Sequence, residues 1–102
     1  MPRYYMRWQM NHTFIPPDPE ARVKLWLTML EMVKAELKAG GLTDWGICSD
    51  SSAGYAFAET DEKTIHATVL KWIPYIQFNV KPVLPVEQVI ANIKQVAAAA
   101  KK

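Results

Sequence analysis

A chain of 102 residues has room for one domain with a single modest core, hiding roughly 60 to 68% of the surface it exposes when unfolded. Half of its residues are hydrophobic and 22% are charged, which excludes a disordered chain, and its net charge of +2 is spread without a block of like charges, so no electrostatic footprint for nucleic acid is present. No run approaches the ~18 apolar residues of a membrane span, the start Met-Pro-Arg-Tyr-Tyr lacks the pattern of a secretory signal, and the lone Cys48 permits no internal disulfide; a soluble, cytoplasmic protein is expected.

Residues 3 to 10 alternate, with Tyr4, Met6, Trp8 and Met10 on one side and Arg3, Tyr5, Arg7 and Gln9 on the other, the period of a strand with one face on a core. Asp18-Pro19-Glu20 then combines an N-cap, a proline at the first helical position and an acid in the first turn, so a helix starts at Pro19. It runs to about Ala39, where Gly40-Gly41 supplies a left-handed cap. On this helix Val23, Trp26, Leu27, Leu30, Val33 and Leu37 share one arc, taken as the core face. Leu25, Met29 and Met32 form a flank expected to be covered by the last helix or by a partner chain.

Residues 42 to 48 read as a second strand with Gly46 a candidate bulge, and Ser49-Asp50-Ser51-Ser52 as a hairpin turn. The third strand sets Tyr55, Phe57 and Glu59 on one face and Gly54, Ala56 and Ala58 on the other, so one side admits helices closely and the other presents rings. Thr60 or Asp61 caps a second helix whose apolar arc holds Ile65, Val69, Trp72 and Ile73, and Pro74 ends it. A fourth strand from Tyr75 to Val83 directs Ile76, Phe78 and Val80 to the core and Gln77, Asn79 and Lys81 away, with Pro82 and Pro85 expected to stop it. Residues 86 to 102 read as a last helix with one stripe of Val86, Val89, Ile90, Ile93, Val96 and Ala97.

The order β-α-β-β-α-β with an added helix predicts an α+β fold: one ferredoxin-like sandwich over residues 1–102, with 85–102 as a C-terminal helical extension. Right-handed crossovers make the sheet antiparallel, in the order 4-1-3-2, with both main helices on one face. The other face is uncovered. It carries Tyr5, Arg7, Tyr55, Phe57, Gln77 and Asn79, a set of aromatic rings around a cation that suits a binding platform or an interface.

The stretch Phe57-Ala-Glu59-Thr-Asp61, with Trp72 and Phe78-Asn-Val80-Lys-Pro82-Val83, resembles an uncharacterised, mostly prokaryotic family within the dimeric α+β-barrel superfamily. That resemblance implies a homodimer whose two sheets pack face to face around a cavity in each protomer. Superfamily members include antibiotic-biosynthesis monooxygenases, haem-degrading enzymes, muconolactone isomerases and stress-response proteins, so membership does not select a reaction. The haem-degrading members carry a helix-two His after a strand-three Trp and a strand-one Asn; the nearest positions here are His66, Phe57 and Asn11, with Phe for Trp and Asn11 past the strand. No cofactor is expected.

The ligand-binding residues are therefore taken as Tyr5, Arg7, Tyr55, Phe57, Gln77 and Asn79, for a small, partly apolar molecule with an acceptor group. Arg7 is a candidate to polarise a carbonyl or else to pair with Glu59, and His66, read as facing the sheet, is the candidate base for a cofactor-free oxygenation or isomerisation. His12 and Cys48 have no companions at ligand spacing, so no metal site is expected. Two readings stand beside this one. The first is a non-enzymatic structural or interaction protein. The second is an RNA-recognition module, since Gly54, Tyr55, Ala56 and Phe57 resemble its strand-three motif, although Ala53 and Thr60 depart from it.

Overall fold

The computed structural model describes residues 2–100. Its elements are β1 (Arg3–Met10), α1 (Pro19–Ala39), β2 (Asp44–Ile47), β3 (Ala53–Glu59), α2 (Glu62–Trp72), β4 (Ile76–Val83) and α3 (Val86–Ala100), with one 3-10 turn at His12–Phe14. The four strands form one sheet in the order β2-β3-β1-β4, and each neighbouring pair is antiparallel. This is the 4-1-3-2 order of the ferredoxin-like sandwich expected from the element pattern.

The helix ends follow local chemistry. The Asp18 side chain accepts from the Ala21 N–H at 3.0 Å, and the Asp61 side chain accepts from the Thr64 N–H at 2.8 Å, each satisfying a donor that the first turn leaves free. At the other end of α1, Gly40 adopts φ of 87°, a left-handed conformation that a side chain would oppose. The hairpin between β2 and β3 is closed by Asp50, whose carboxylate accepts from both the N–H and the hydroxyl of Ser52.

The core lies on the helix-bearing face of the sheet. Tyr4, Met6 and Trp8 of β1 are buried there with Ala56 and Ala58 of β3, Ile76 of β4, Val33 of α1, and Ile65 and Trp72 of α2. Each large side chain buried this fully contributes about 1.5 to 3 kcal/mol. The register sets bulky against small: Tyr4 opposes Ala58, Met6 opposes Ala56 and Trp8 opposes Gly54.

Four expectations change in detail. Gly46 pairs regularly with Tyr55 and forms no bulge; its missing side chain leaves room for the Tyr55 ring, against which a Cβ would collide. β2 spans Asp44–Ile47 rather than 42 to 48. Pro82 does not stop β4 but lies inside it, opposite Tyr4, which an edge strand tolerates because the ring removes a donor only where it is not needed. The core-facing side of α1 is also rotated from the expected arc: Val33 is buried and Trp26 and Met29 are half-buried, whereas Val23, Leu27, Leu30 and Leu37 are all exposed. The sheet beneath is narrow enough for only one edge of the helix's broad apolar surface to reach it.

No residue of α3 is buried, and the helix forms no extensive contact with any other element. It projects from the body, giving extents of 66 × 26 × 22 Å and a radius of gyration of 17.7 Å, where a compact chain of this length has about 13 Å.

A Cβ at position 54 would collide with the Trp8 ring and with the Gly46 carbonyl. Gly54→Ala should therefore destabilise the protein by about 1 to 3 kcal/mol, the usual cost of overpacking, measured by urea denaturation. Asp61 has its pKa lowered, first by the Thr64 N–H, then by the Thr64 hydroxyl, with Lys63 assisting. The folded state thus binds that proton less tightly than the unfolded chain, where Asp titrates near 3.9. Stability from this cap is complete above that value and is lost as the pH falls through the lower folded one. Asp61→Asn keeps an acceptor but no charge. Urea midpoints of wild type and Asp61→Asn should converge as the pH falls from about 6 to about 2.

Candidate functional site

A cavity of about 210 Å³ lies between the helix-bearing face of the sheet and helices α1 and α2. Its floor is built by the inward alternation of the strands: Met6, Trp8 and Met10 from β1, Ala56 from β3, Trp45 and Ile47 from β2, and Ile76 and Phe78 from β4. α1 supplies Trp26, Met29, Leu30 and Val33, and α2 supplies Thr68 and Trp72. All four tryptophans of the chain line this one space. The small faces of Gly54 and Ala56 make it possible, because they let rings lie across β3 where larger side chains would fill the gap.

The tryptophans are held differently. Trp8 donates through Nε1 to the Tyr55 carbonyl at 3.3 Å, and its ring stacks on Trp45 with centroids 5.5 Å apart and planes 15° from parallel. Trp45 is thereby held in the cavity wall. The Trp26 ring is covered by the Arg22 guanidinium, 5.6 Å from its centroid. Its indole Nε1 is buried and, among the described residues, has no hydrogen-bond partner. An unsatisfied buried donor costs about 1 to 3 kcal/mol, so this N–H is a group in need of an acceptor. The other buried polar side chain of the wall, Thr68, already donates to the Thr64 carbonyl at 3.0 Å.

Among the described residues, no Asp, Glu, His, Lys, Arg, Cys or Tyr lines the cavity. The groups with shifted acidity lie elsewhere: Asp50 is lowered chiefly by the Ser52 hydroxyl, Asp61 is lowered at the cap of α2, and Tyr4 is raised by burial with the Glu62 and Asp61 charges adding. Among the described residues, no group of three or more His, Cys, Asp and Glu is placed to hold a metal ion. One ion pair ties the two helices together, Lys71 Nζ to Glu36 Oε1 at 3.0 Å.

The residues singled out on the uncovered face do come together there, on the side of the sheet opposite the cavity. Tyr5 and Phe57 have ring centroids 5.5 Å apart, and Tyr55 and Phe57 meet edge-on at 5.9 Å. Arg7 sits between Tyr55 and Asn79 in register. It is exposed, and among the described residues no hydrogen bond or ion pair engages it; Glu59 pairs instead with Arg3, at 2.8 Å. Gln77 bonds Gln9 at 3.1 Å. His66 is exposed on α2 and does not face the sheet, because Ile65, Thr68 and Trp72 take the inward positions of that short helix. His12 and Cys48 are exposed as well. Sequence reasoning placed Trp8, Trp26 and Trp72 in the core but did not see that a space is left among them. The signal that could have found it is the run of small residues on β3 opposite a bulky β1.

The fold, with a cavity of this shape under its helices, defines a small α+β domain with an apolar internal site. The chain belongs to the family described as a domain of unknown function (DUF3303), which matches residues 3–97. No curated protein matches the chain. No helix among the described residues is long and apolar enough to cross a membrane.

Because Trp26 carries an unsatisfied donor, Trp26→Phe should change stability by less than about 1 kcal/mol, the lost ring area being offset by removal of that donor. Trp8→Phe removes a made bond as well as area and should cost about 2 kcal/mol or more. Urea denaturation of the two variants side by side checks the contrast.

Proposed function

We propose that this protein binds a small, largely apolar molecule bearing one neutral acceptor group, held in the tryptophan-lined cavity with the acceptor on Trp26 Nε1. The observation that carries this reading is a largely apolar, tryptophan-lined space with Trp26 in its wall, whose indole N–H is buried and, among the described residues, has no hydrogen-bond partner. Binding sites for small molecules have this character: mostly hydrophobic lining with a few placed polar groups that fix orientation. A ketone, ester, ether or phenol oxygen fits that donor. A carboxylate does not, since nothing in the wall carries a compensating positive charge.

The same reading treats the chain as a homodimeric member of the dimeric α+β-barrel class, with the uncovered sheet faces meeting. Its support is the cluster of Tyr5, Tyr55 and Phe57 around an unpaired, exposed Arg7, flanked by Gln77 and Asn79, on a face that no element of the chain covers. The ligand and the partner copy would thus use opposite sides of one sheet. Sequence reasoning assigned both to the uncovered side.

Acid–base catalysis is not part of the proposal. Arg7 and His66 lie outside the cavity wall, which contains no ionisable side chain, so neither the carbonyl-polarising role of Arg7 nor the base role of His66 has a counterpart where the ligand would sit. Binding, storage or delivery of an apolar molecule needs only the lining that is present. The RNA-recognition reading would place bases on Tyr55 and Phe57, and the surrounding face offers one free arginine rather than a cluster of cations.

The test uses 1-tetralone, a neutral bicyclic ketone, and tetralin, the same skeleton without the oxygen, titrated against intrinsic tryptophan fluorescence. Saturable quenching by both is expected, with tetralone tighter. Trp26→Phe should reduce that preference by roughly 2- to 12-fold, the worth of one hydrogen bond, and leave tetralin unaffected. Val33→Phe, which fills the cavity, should weaken both. Quenching that does not saturate, or a ketone preference untouched by Trp26→Phe, would overturn the reading.

A further inference from the structure

We propose that α3 of a second copy of this chain docks along the exposed aliphatic stripe of α1 and closes the mouth of the cavity. The inference deepens the cavity and homodimer reading above, because it makes the site incomplete without the partner's helix.

Two unpartnered surfaces on the same chain match each other. At 100° per residue, Val86, Val89, Ile90, Ile93 and Val96 occupy an arc of α3 about 120° wide, with Gln88 and Gln95 opposite. These five aliphatic residues are exposed between 40% and 69%. On α1, Val23, Leu27, Leu30 and Leu37 occupy an arc about 80° wide that the chain's own sheet does not reach. These four are exposed between 38% and 59%. The α3 stripe runs about 15 Å and the α1 stripe about 21 Å at 1.5 Å per residue, so one can lie along the other. Surfaces this apolar on both helices have no reason to remain in water when each fits the other.

The occupant is a second copy because the chain's own α3 leaves α1 uncovered: it projects from the body, no residue of it is buried, and it makes no extensive contact with α1. Only Leu84 and Pro85 separate β4 from α3, and the Pro85 carbonyl already accepts from the Gln88 and Val89 N–H groups, so the first turn of the helix begins at the link itself. Proline in that link limits its rotation further. A rigid arm that reaches away from its own body and carries a surface complementary to that body has the anatomy of an exchanged element, and a two-fold axis would satisfy both copies at once.

The consequence for the site comes through Leu30 and Ile47. Both line the cavity, and both remain about two-fifths exposed, at 41% and 43%. They mark where the cavity meets solvent, and Leu30 is also a member of the α1 stripe. A helix laid over Val23, Leu27 and Leu30 therefore covers this opening. Entry of the ligand is then governed by how often the arm lifts.

The experiment replaces the native thiol by Cys48→Ser and introduces Leu27→Cys with Ile93→Cys on one chain; both positions are exposed, so folding should be retained, checked by circular dichroism. Mild oxidation should give a covalent dimer whose peptide map contains the 27–93 disulfide. A control chain carrying Leu27→Cys with Gln95→Cys, on the opposite face of α3, should cross-link at least about tenfold more slowly. Three results would overturn the inference: a 27–93 disulfide confined to the monomer band, which places α3 on its own α1; equal rates for the two chains; or wild type sedimenting as a monomer. Tetralone titration is independent of these readouts, so failure of cross-linking with saturable binding intact refutes the arm and leaves the cavity standing.

Discussion

The structure depends on a strand of bulky side chains paired in register with a strand of small ones. Tyr4, Met6 and Trp8 on β1 stand opposite Ala58, Ala56 and Gly54 on β3, at the centre of the sheet. Because β3 presents almost nothing to the helices, the Trp8 ring can lie over Gly54 and stack on Trp45, and α1 can settle over β2. Met6, only 1% exposed, is the most deeply set of the large side chains. Had β3 carried valine or leucine at those positions, the rings would be displaced and the space beneath the helices filled.

That pairing divides the sheet into two unlike surfaces. The inward face is apolar and borders a cavity in whose wall Trp26 carries an N–H that is buried and, among the described residues, unpartnered. The outward face is aromatic and polar, with cross-strand pairs such as Arg3–Glu59 and Gln9–Gln77 already made and Arg7 left free. A protein with these two faces can hold an apolar ligand on one and meet a partner's sheet on the other. The helices add a third surface, since α1 offers an aliphatic edge to solvent and α3 a matching one.

Element order was legible in the sequence because its signals are local. Asp18-Pro19 and Asp61 mark helix starts through side chains that reach donors three residues away, and the alternation of β1, β3 and β4 records which face of each strand meets the core. The order of strands followed from crossover handedness. The candidate site was legible only in part. The six residues expected on the uncovered face share that face, as strand alternation requires, yet the cavity lies behind them. His66 was read as inward because its helical angle lies near that of Val69, but on an 11-residue helix the three positions Ile65, Thr68 and Trp72 already fill the contact with the sheet.

Helix caps and the sidedness of the strands can thus be read along the chain, because neighbours within a few residues set them, and crossover handedness then orders the sheet. How far α1 rolls over the sheet, the gap left beneath it, the surroundings of the Trp26 N–H and the projection of α3 emerge only in three dimensions. These depend on the volumes of side chains that are far apart in sequence and meet only once the layers are stacked. Periodicity gives the direction in which a side chain points, but not whether another is there to meet it.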